Sequence, residues 1–454
     1  VRFFGWAVVV LGLGAAACSG RGLCVPGQSL ECTCDDGTTG LQACQADSTL
    51  SNCQCESPTF LDGGPSDDGG DTNGMDGGPG ARDAGRPGTD AGHPDAGHPV
   101  PDAGPGFDAG GFPEAAHVNE QVPSHRGKTI SNPTLVTITY SDFGNRSEME
   151  QLGQYLVTSS WLQETGADYG VGTGQWFKVE LSSSSPSQIT DDTIRSQIAT
   201  WVSNGTVPAG SSSDPYIYAI YFPSTTNLTV QGVPLCIFSG GGYHSNTAEQ
   251  TADVPYAVIS WCNNGFAELE SEQSTTSHEF MEAATDPYPA EPAYALSDST
   301  SPWSFLGGEV ADLCEFDSYA DVDGYSLARI WSNTQARTGG PHCLPTSGPY
   351  YGISPGVTTM QPVAAGSSTN FTVTGWSTGS VPDWYVYTYI FGVGQSPFQP
   401  NISLGTTEMN NGRTTTLTVS VPSGTPSGSQ AVVVITSQAN NNDYTADLLG
   451  VYVQ

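Results

Sequence analysis

Five copies of one tripeptide limit what this chain can fold into. Asp83-Ala84-Gly85 recurs at Asp90, Asp95, Asp102 and Asp108, with prolines and glycines between the copies. Such a stretch buries too little apolar surface to repay the entropy lost on ordering. Residues 59–125 are therefore expected to be a disordered Gly/Pro/Asp-rich tether, with an end-to-end distance of roughly 45 Å if flexible. His93 and His98 are incidental to the repeat, and His117 and His125 at its end are expected to be free. Whatever folds must lie before residue 59 or after residue 125, and the length allows two or three domains.

The segment before the tether points outward from the cell. Residues 1–17 place Arg2 ahead of an apolar run that ends at Ala15-Ala16-Ala17, too short to remain as a membrane span. The run meets Cys18-Ser19 and resembles a bacterial lipoprotein signal, with Cys18 as the lipid anchor and an outer-membrane or cell-surface destination. Residues 18–58 then hold Cys24, Cys32, Cys34, Cys44, Cys53 and Cys55. A module this small has no room for a real core, and with no histidine near its cysteines an oxidised, disulfide-stapled unit is expected over a metal site. It resembles the short cysteine modules of myxobacterial surface proteins. The formal net charge of −34, with only 12 Lys and Arg, excludes nucleic acid as a partner. It equally excludes adhesion to an anionic bilayer, leaving the lipid anchor as the membrane contact.

Residues 126–345 mix strands and helices and predict one α+β domain. Thr134–Tyr140, Tyr216–Phe222 and Ala257–Trp261 read as strands. Residues 147–164, and a stretch opening at Thr190-Asp191 with Ile194, Ile198 and Trp201 on one side, read as helices. The stretch with chemistry is Thr276-Ser277-His278-Glu279-Phe280-Met281-Glu282. His278 and Glu282, four apart, share one helix face and can reach one metal ion. Glu279 stands where a general base for a water would sit. Thr276 with Glu279 reads as a capping box, and Asp286-Pro287 as a stop. The pattern resembles the zincin helix His-Glu-x-x-His, with glutamate in place of the second histidine. That resemblance implies a later glutamate as third ligand and a nearby aspartate orienting the histidine. Glu309 and Asp312 fit those roles, after Gly307-Gly308, whose missing side chains would let that backbone approach the helix closely. His244, in the glycine-rich turn Ser239–Ser245, is a candidate catalytic donor to an oxyanion or a further ligand. Asp317, Asp321 and Asp323 before Gly324 offer oxygen ligands to a Ca2+ ion, though without EF-hand spacing.

The order of these landmarks also resembles the plant EXORDIUM or phosphate-induced protein family over residues 133–345. They are Ile217-Tyr218, Thr229-Val230, Cys236, Gly242-Tyr243-His244, His278-Glu279-x-x-Glu282-Ala283 and Glu309-x-x-Asp312-Leu313-Cys314. Gly240-Gly241 stand where that family often has a second cysteine. The resemblance implies an extracellular protein with a metal-like centre. Pairing the remaining cysteines in chain order, Cys236 with Cys262 and Cys314 with Cys343, closes the smallest loops and is the simplest arrangement. Residues 346–454 show Asn370–Thr374, Trp384–Ile390, Thr414–Val421, Ala431–Thr436 and Leu448–Val453 as strands without helical periodicity. They are expected to form an all-β immunoglobulin-like sandwich. The combined expectation is a surface-tethered zinc metallohydrolase acting on a peptide or protein. Zn2+ would be held by His278, Glu282 and Glu309, with Asp312 outside them and Glu279 as base. Cell-surface polysaccharide is a further partner for the appended module. The alternative is a non-catalytic adhesion or signalling protein with a structural metal site.

Overall fold

A computed structural model describes residues 29–33, 39–43, 114–247, 254–263, 266–393, 397–440 and 443–454. The leader, Cys18 and most of the cysteine module and the tether lie outside these residues. In the N-terminal unit, Ser29–Thr33 and Thr39–Ala43 pair antiparallel. The second compact unit runs from Phe112 to Gln454 and carries everything that follows. It is a mixed α+β fold with several sheets.

Its first layer is a five-stranded sheet of β1 (Thr134–Thr139), β2 (Gln175–Glu180), β3 (Tyr216–Phe222), β4 (Gly242–Asn246) and β5 (Pro255–Ser260), in the order β2-β1-β3-β5-β4. All neighbours are parallel except β4, which closes the edge antiparallel to β5. Helices cover both faces, as a mostly parallel sheet requires. Leu135, Ile217, Ala219 and Ile259 face Met149 and Leu152 of α1 (Arg146–Leu156), and Phe280 and Met281 of α3 (Glu268–Thr285). Val136, Ile138, Tyr218 and Ile220 face Ile194 and Ile198 of α2 (Asp191–Asn204). This two-sided burial explains the unbroken apolar run of β3.

Two local expectations change. The helix read over 147–164 breaks after Leu156 and restarts at Ser160, because Ser159 caps the second piece by accepting from the Leu162 amide. Thr276 is no cap: α3 begins at Glu268, since the residues ahead of Thr276 carry no breaker. Its hydroxyl instead faces Met149 at 3.8 Å. The end of the expected tether is also packed. Residues 114–125 lie against the fold, with Val122 buried. His117, expected free, stacks on Trp376 with ring centroids 3.7 Å apart, and His125 bonds the Ala295 carbonyl at 2.7 Å. An aromatic partner far along the chain captures His117, and nothing in the local composition signals it.

In the C-terminal part, Tyr351–Ser354, Ser368–Ser377, Thr414–Ser420 and Asn401–Leu404 form one sheet. Gln361–Val363, Asp443–Val453, Gln430–Asn440, Trp384–Val393 and Glu408–Met409 form a second. The two face each other across a shared core that includes Val373, Leu417, Trp384, Val433 and Leu449. The other face of the second sheet is apolar too: Val432, Val434 and Leu448 join the core of the first layer with Trp303 and Trp331. The run Val432-Val433-Val434 is thus buried on both sides.

Polar groups are locked into this junction. The Tyr350 hydroxyl donates to Asp317 Oδ2 at 2.7 Å, and the Ala446 amide donates to Asp317 Oδ1 at 2.8 Å. Burial, then Asp317, pushes the Asp447 carboxyl well above its usual range. An acid raised in the folded state binds more protons folded than unfolded. Its penalty is absent below about pH 4, where both states are protonated, and grows as pH rises towards the folded value. Asp447→Asn, permanently neutral and of the same shape, should therefore melt with the parent near pH 3.5 and several degrees above it at pH 8. Paired thermal melts across that range check this; a constant offset would show that charge is not the cause.

Candidate metal centre

The α3 helix presents His278 and Glu282 one turn apart on the same face. His278 Nε2 lies 3.2 Å from Glu282 Oε1. It also lies 3.4 Å from Asp312 Oδ1, and the Asp312 amide donates to Glu282 Oε1 at 3.1 Å. Asp312 thus meets the same nitrogen as Glu282. Residues 312–314 make a tight turn over α3, and a Cβ on Gly307 would sit 1.9 Å from Asp312 Oδ2. Gly307 therefore yields space to the aspartate, rather than bringing its own backbone onto the helix.

The edge strand β4 supplies His244 from the other side. Its Nδ1 lies 3.4 Å from Glu282 Oε2 and 3.7 Å from Glu279 Oε2; its Nε2 lies 3.5 Å from Glu309 Oε1 and 3.1 Å from the Asp286 carbonyl. Such proximity needs a residue without a side chain on β4. A Cβ on Gly242 would lie 2.3 Å from Thr275 Cγ2 and 2.7 Å from Glu279 Oε1. Tyr243, next to His244, points to the opposite face, where its hydroxyl donates to Asp191 Oδ1 at 2.7 Å. This bond ties the edge strand to α2.

Two groups result that are positioned to hold a metal ion. His244, Glu282 and Glu309 offer donor atoms all within 4.8 Å of one another, as do His278, Glu279 and Glu282. Around a tetrahedral ion with bonds of about 2.0–2.2 Å, neighbouring donors stand roughly 3.3–3.6 Å apart. The 3.2 Å approach of Glu282 to His278 Nε2 fits that spacing; Asp312 lies 3.4 Å from the same nitrogen but belongs to neither group. His278 and Glu309, expected on one ion, fall in different groups. The wall is a cavity of about 840 Å³, also lined by Phe305, Leu306, Glu315 and Phe391. Glu315 and Phe391 carried no motif that would mark them in the sequence.

Electrostatics bind the cluster. Burial disfavours a charged His244, but Glu309, then Glu279 and Glu282, outweighs it and holds the imidazole pKa well above its ordinary value. Burial opposes charge at His278 too, and Glu282 and Asp312 reverse it. Burial likewise resists ionisation of Glu282, yet His278 and His244 hold its carboxyl below the usual range. Burial raises the pKa of Glu309 and Glu279, and it pushes Asp312 to about 6 with the help of Glu282.

Bridges Cys236–Cys262 and Cys314–Cys343 flank the site, in chain order as expected. The calcium reading fails on geometry. Asp317 is turned inward to Tyr350 and Ala446, Asp323 accepts from the Tyr155 hydroxyl at 2.9 Å, and Asp321 is exposed. Among the described residues these aspartates form no metal-sized group.

No known protein family matches the sequence, and no curated protein does either. Among solved structures, a nucleoside hydrolase-related hypothetical protein from Saccharophagus degradans, associated with carbohydrate metabolism, aligns at 16% identity. The alignment covers 23% of this chain and 25% of that one, with a TM-score of 0.16. The chain thus spans about a quarter of that protein's length, and a likeness this slight carries neither fold nor function.

Proposed function

We propose that the protein is a zinc-dependent hydrolase of peptide bonds, held at the cell surface by a lipid anchor on Cys18 and the tether. The observation that carries this reading is the convergence of Glu282 and Asp312 on Nε2 of His278, in the wall of an open cavity, with Glu279 beside them. His278 and Glu282 would offer an imidazole and a carboxylate to one ion, with Asp312 3.4 Å from the same nitrogen, and leave room for water. A bound zinc ion supplies a Lewis acid for the scissile carbonyl and acidifies a water molecule. Glu279 takes the proton of the attacking water on its carboxylate and passes it to the leaving amine. The zincin-like helix and the EXORDIUM-like order of landmarks support a secreted metalloprotein. The paired C-terminal sheets, read as an immunoglobulin-like sandwich, would position the site or bind cell-surface polysaccharide.

Elemental analysis of protein purified without added metal tests the reading directly. A stoichiometric transition metal is expected, with zinc restoring it after chelation. Failure to retain any transition metal after reconstitution would refute the proposal.

A further inference from the structure

The strand Trp384–Val393 carries a row of aromatic rings that the core does not consume. Side chains alternate along a strand, so Tyr385, Tyr387, Tyr389 and Phe391 share one face. Trp384 and Val386, on the other face, fill the core between the two C-terminal sheets. The row stands on the face turned towards the first layer: Tyr389 and Phe391 lie opposite Val434 and Val432, which join that layer's core. Phe316 packs edge-on against Tyr389 and Phe391, with centroids 5.9 and 6.1 Å apart, and orders that end of the row. Yet Tyr385 is 65% exposed, Tyr387 44% and Phe391 37%. Phe391 also lines the cavity that contains His278 and Glu279. The row therefore runs from open solvent into the wall of the candidate centre. The outer edge of the strand is open along the same stretch. Glu408–Met409 pairs only with Trp384 and Tyr385, and the Val386 amide donates to the Thr407 carbonyl at 2.7 Å. Beyond that point no strand lies on this edge among the described residues. Backbone groups of alternate residues point the same way, so those of Thr388 and Ile390 face outward like those of Val386.

We propose that this row and edge seat an extended polypeptide, whose chain runs along Trp384–Val393 and enters the cavity beside Phe391. This rests on the peptide-hydrolase reading above and gives the C-terminal sheets their part in it. Same-face side chains of an extended chain repeat every ~6.8 Å, which is also the repeat of the rings along their own strand. Each large apolar side chain of the bound segment thus meets one ring as a cross-strand pair. The outward backbone groups of Thr388 and Ile390 match a peptide backbone, which offers complementary groups at the same interval; a sugar chain does not. The formal net charge of −34 repels acidic polymers. The occupant is therefore a peptide segment without net negative charge, carrying leucine-sized or aromatic residues at alternate positions.

The test uses the full chain carrying Glu279→Gln, so that binding is read without turnover. The probe is a dye-labelled, capped nonapeptide alternating serine with leucine and phenylalanine, followed by fluorescence anisotropy. Saturable binding is expected, and adding Tyr387→Ala should weaken it by about 3–10-fold. Thr388→Pro should weaken it as well, because it removes one outward amide at a place where an edge strand tolerates proline. A thermal melt checks that each variant folds; Tyr387→Ala carries the comparison if Thr388→Pro does not. With Glu279 restored, the same changes should raise KM and leave kcat unchanged. Absence of peptide binding overturns the docking site, as does displacement of the peptide by neutral cellohexaose. Peptide cleavage with a KM that neither variant moves also overturns it and leaves the hydrolase reading standing. Peptide binding that depends on Tyr387, in a parent protein that never cleaves, supports the docking site and removes the hydrolase reading.

Discussion

Replacing Glu279 with glutamine should abolish turnover, by about 10²–10⁴-fold, while metal and fold remain. Glutamine keeps the shape of the side chain and removes its ability to take a proton. The position is demanding: the side chain is 7% exposed, and Gly242 leaves it no spare room on the β4 side. A larger change would disturb packing, so the isosteric variant is the informative one. Stability should hold, because glutamine removes a carboxyl that burial already disfavours in its charged form. A peptide-library digest, a thermal melt and elemental analysis on the same preparation read all three quantities. Unchanged biological function in this variant, together with collapse of the fold in His278→Ala, would favour a structural metal in an adhesion or signalling protein.

Asp312→Ala should weaken zinc binding by more than about 100-fold. An aspartate acting only through the outer nitrogen of a histidine is worth about 10–100-fold. Asp312 meets Nε2, the nitrogen that Glu282 also meets, so its loss would remove a contact on the metal-facing side of His278 and not one behind the ring. It also leaves Glu282 Oε1 with one fewer fixed neighbour, since the Asp312 backbone amide that donates to it is held by the carboxylate's seat beside Gly307. Competition against a chelator of known affinity measures the change. A loss within 10–100-fold would return Asp312 to an orienting role and direct the search for a third ligand to Glu279.

The helix face that joins His278 to Glu282 was legible in the sequence, because a spacing of four residues has one geometric meaning once the segment is helical. The buried strands were legible for the same reason: β3 and the Gln430–Asn440 strand announce themselves through β-branched and aromatic runs. Pairing the bridges in chain order was the simplest arrangement, and the structure has that pairing. The partners of those elements were not legible. His244 could be named from its glycine-rich turn, but only the antiparallel register of β4 on β5 turns it, and not Tyr243, towards α3. Asp312 could be named from its spacing to Glu309, but the nitrogen it meets depends on how the turn over α3 closes. His117 was read as free because its aromatic partner, Trp376, lies far along the chain. Local periodicity and spacing are properties of the chain itself, so the sequence determined the helix pair and the strands. Which side chain meets which oxygen is decided by contacts between distant segments, and those exist only after the sheet, the helix and the turn have packed.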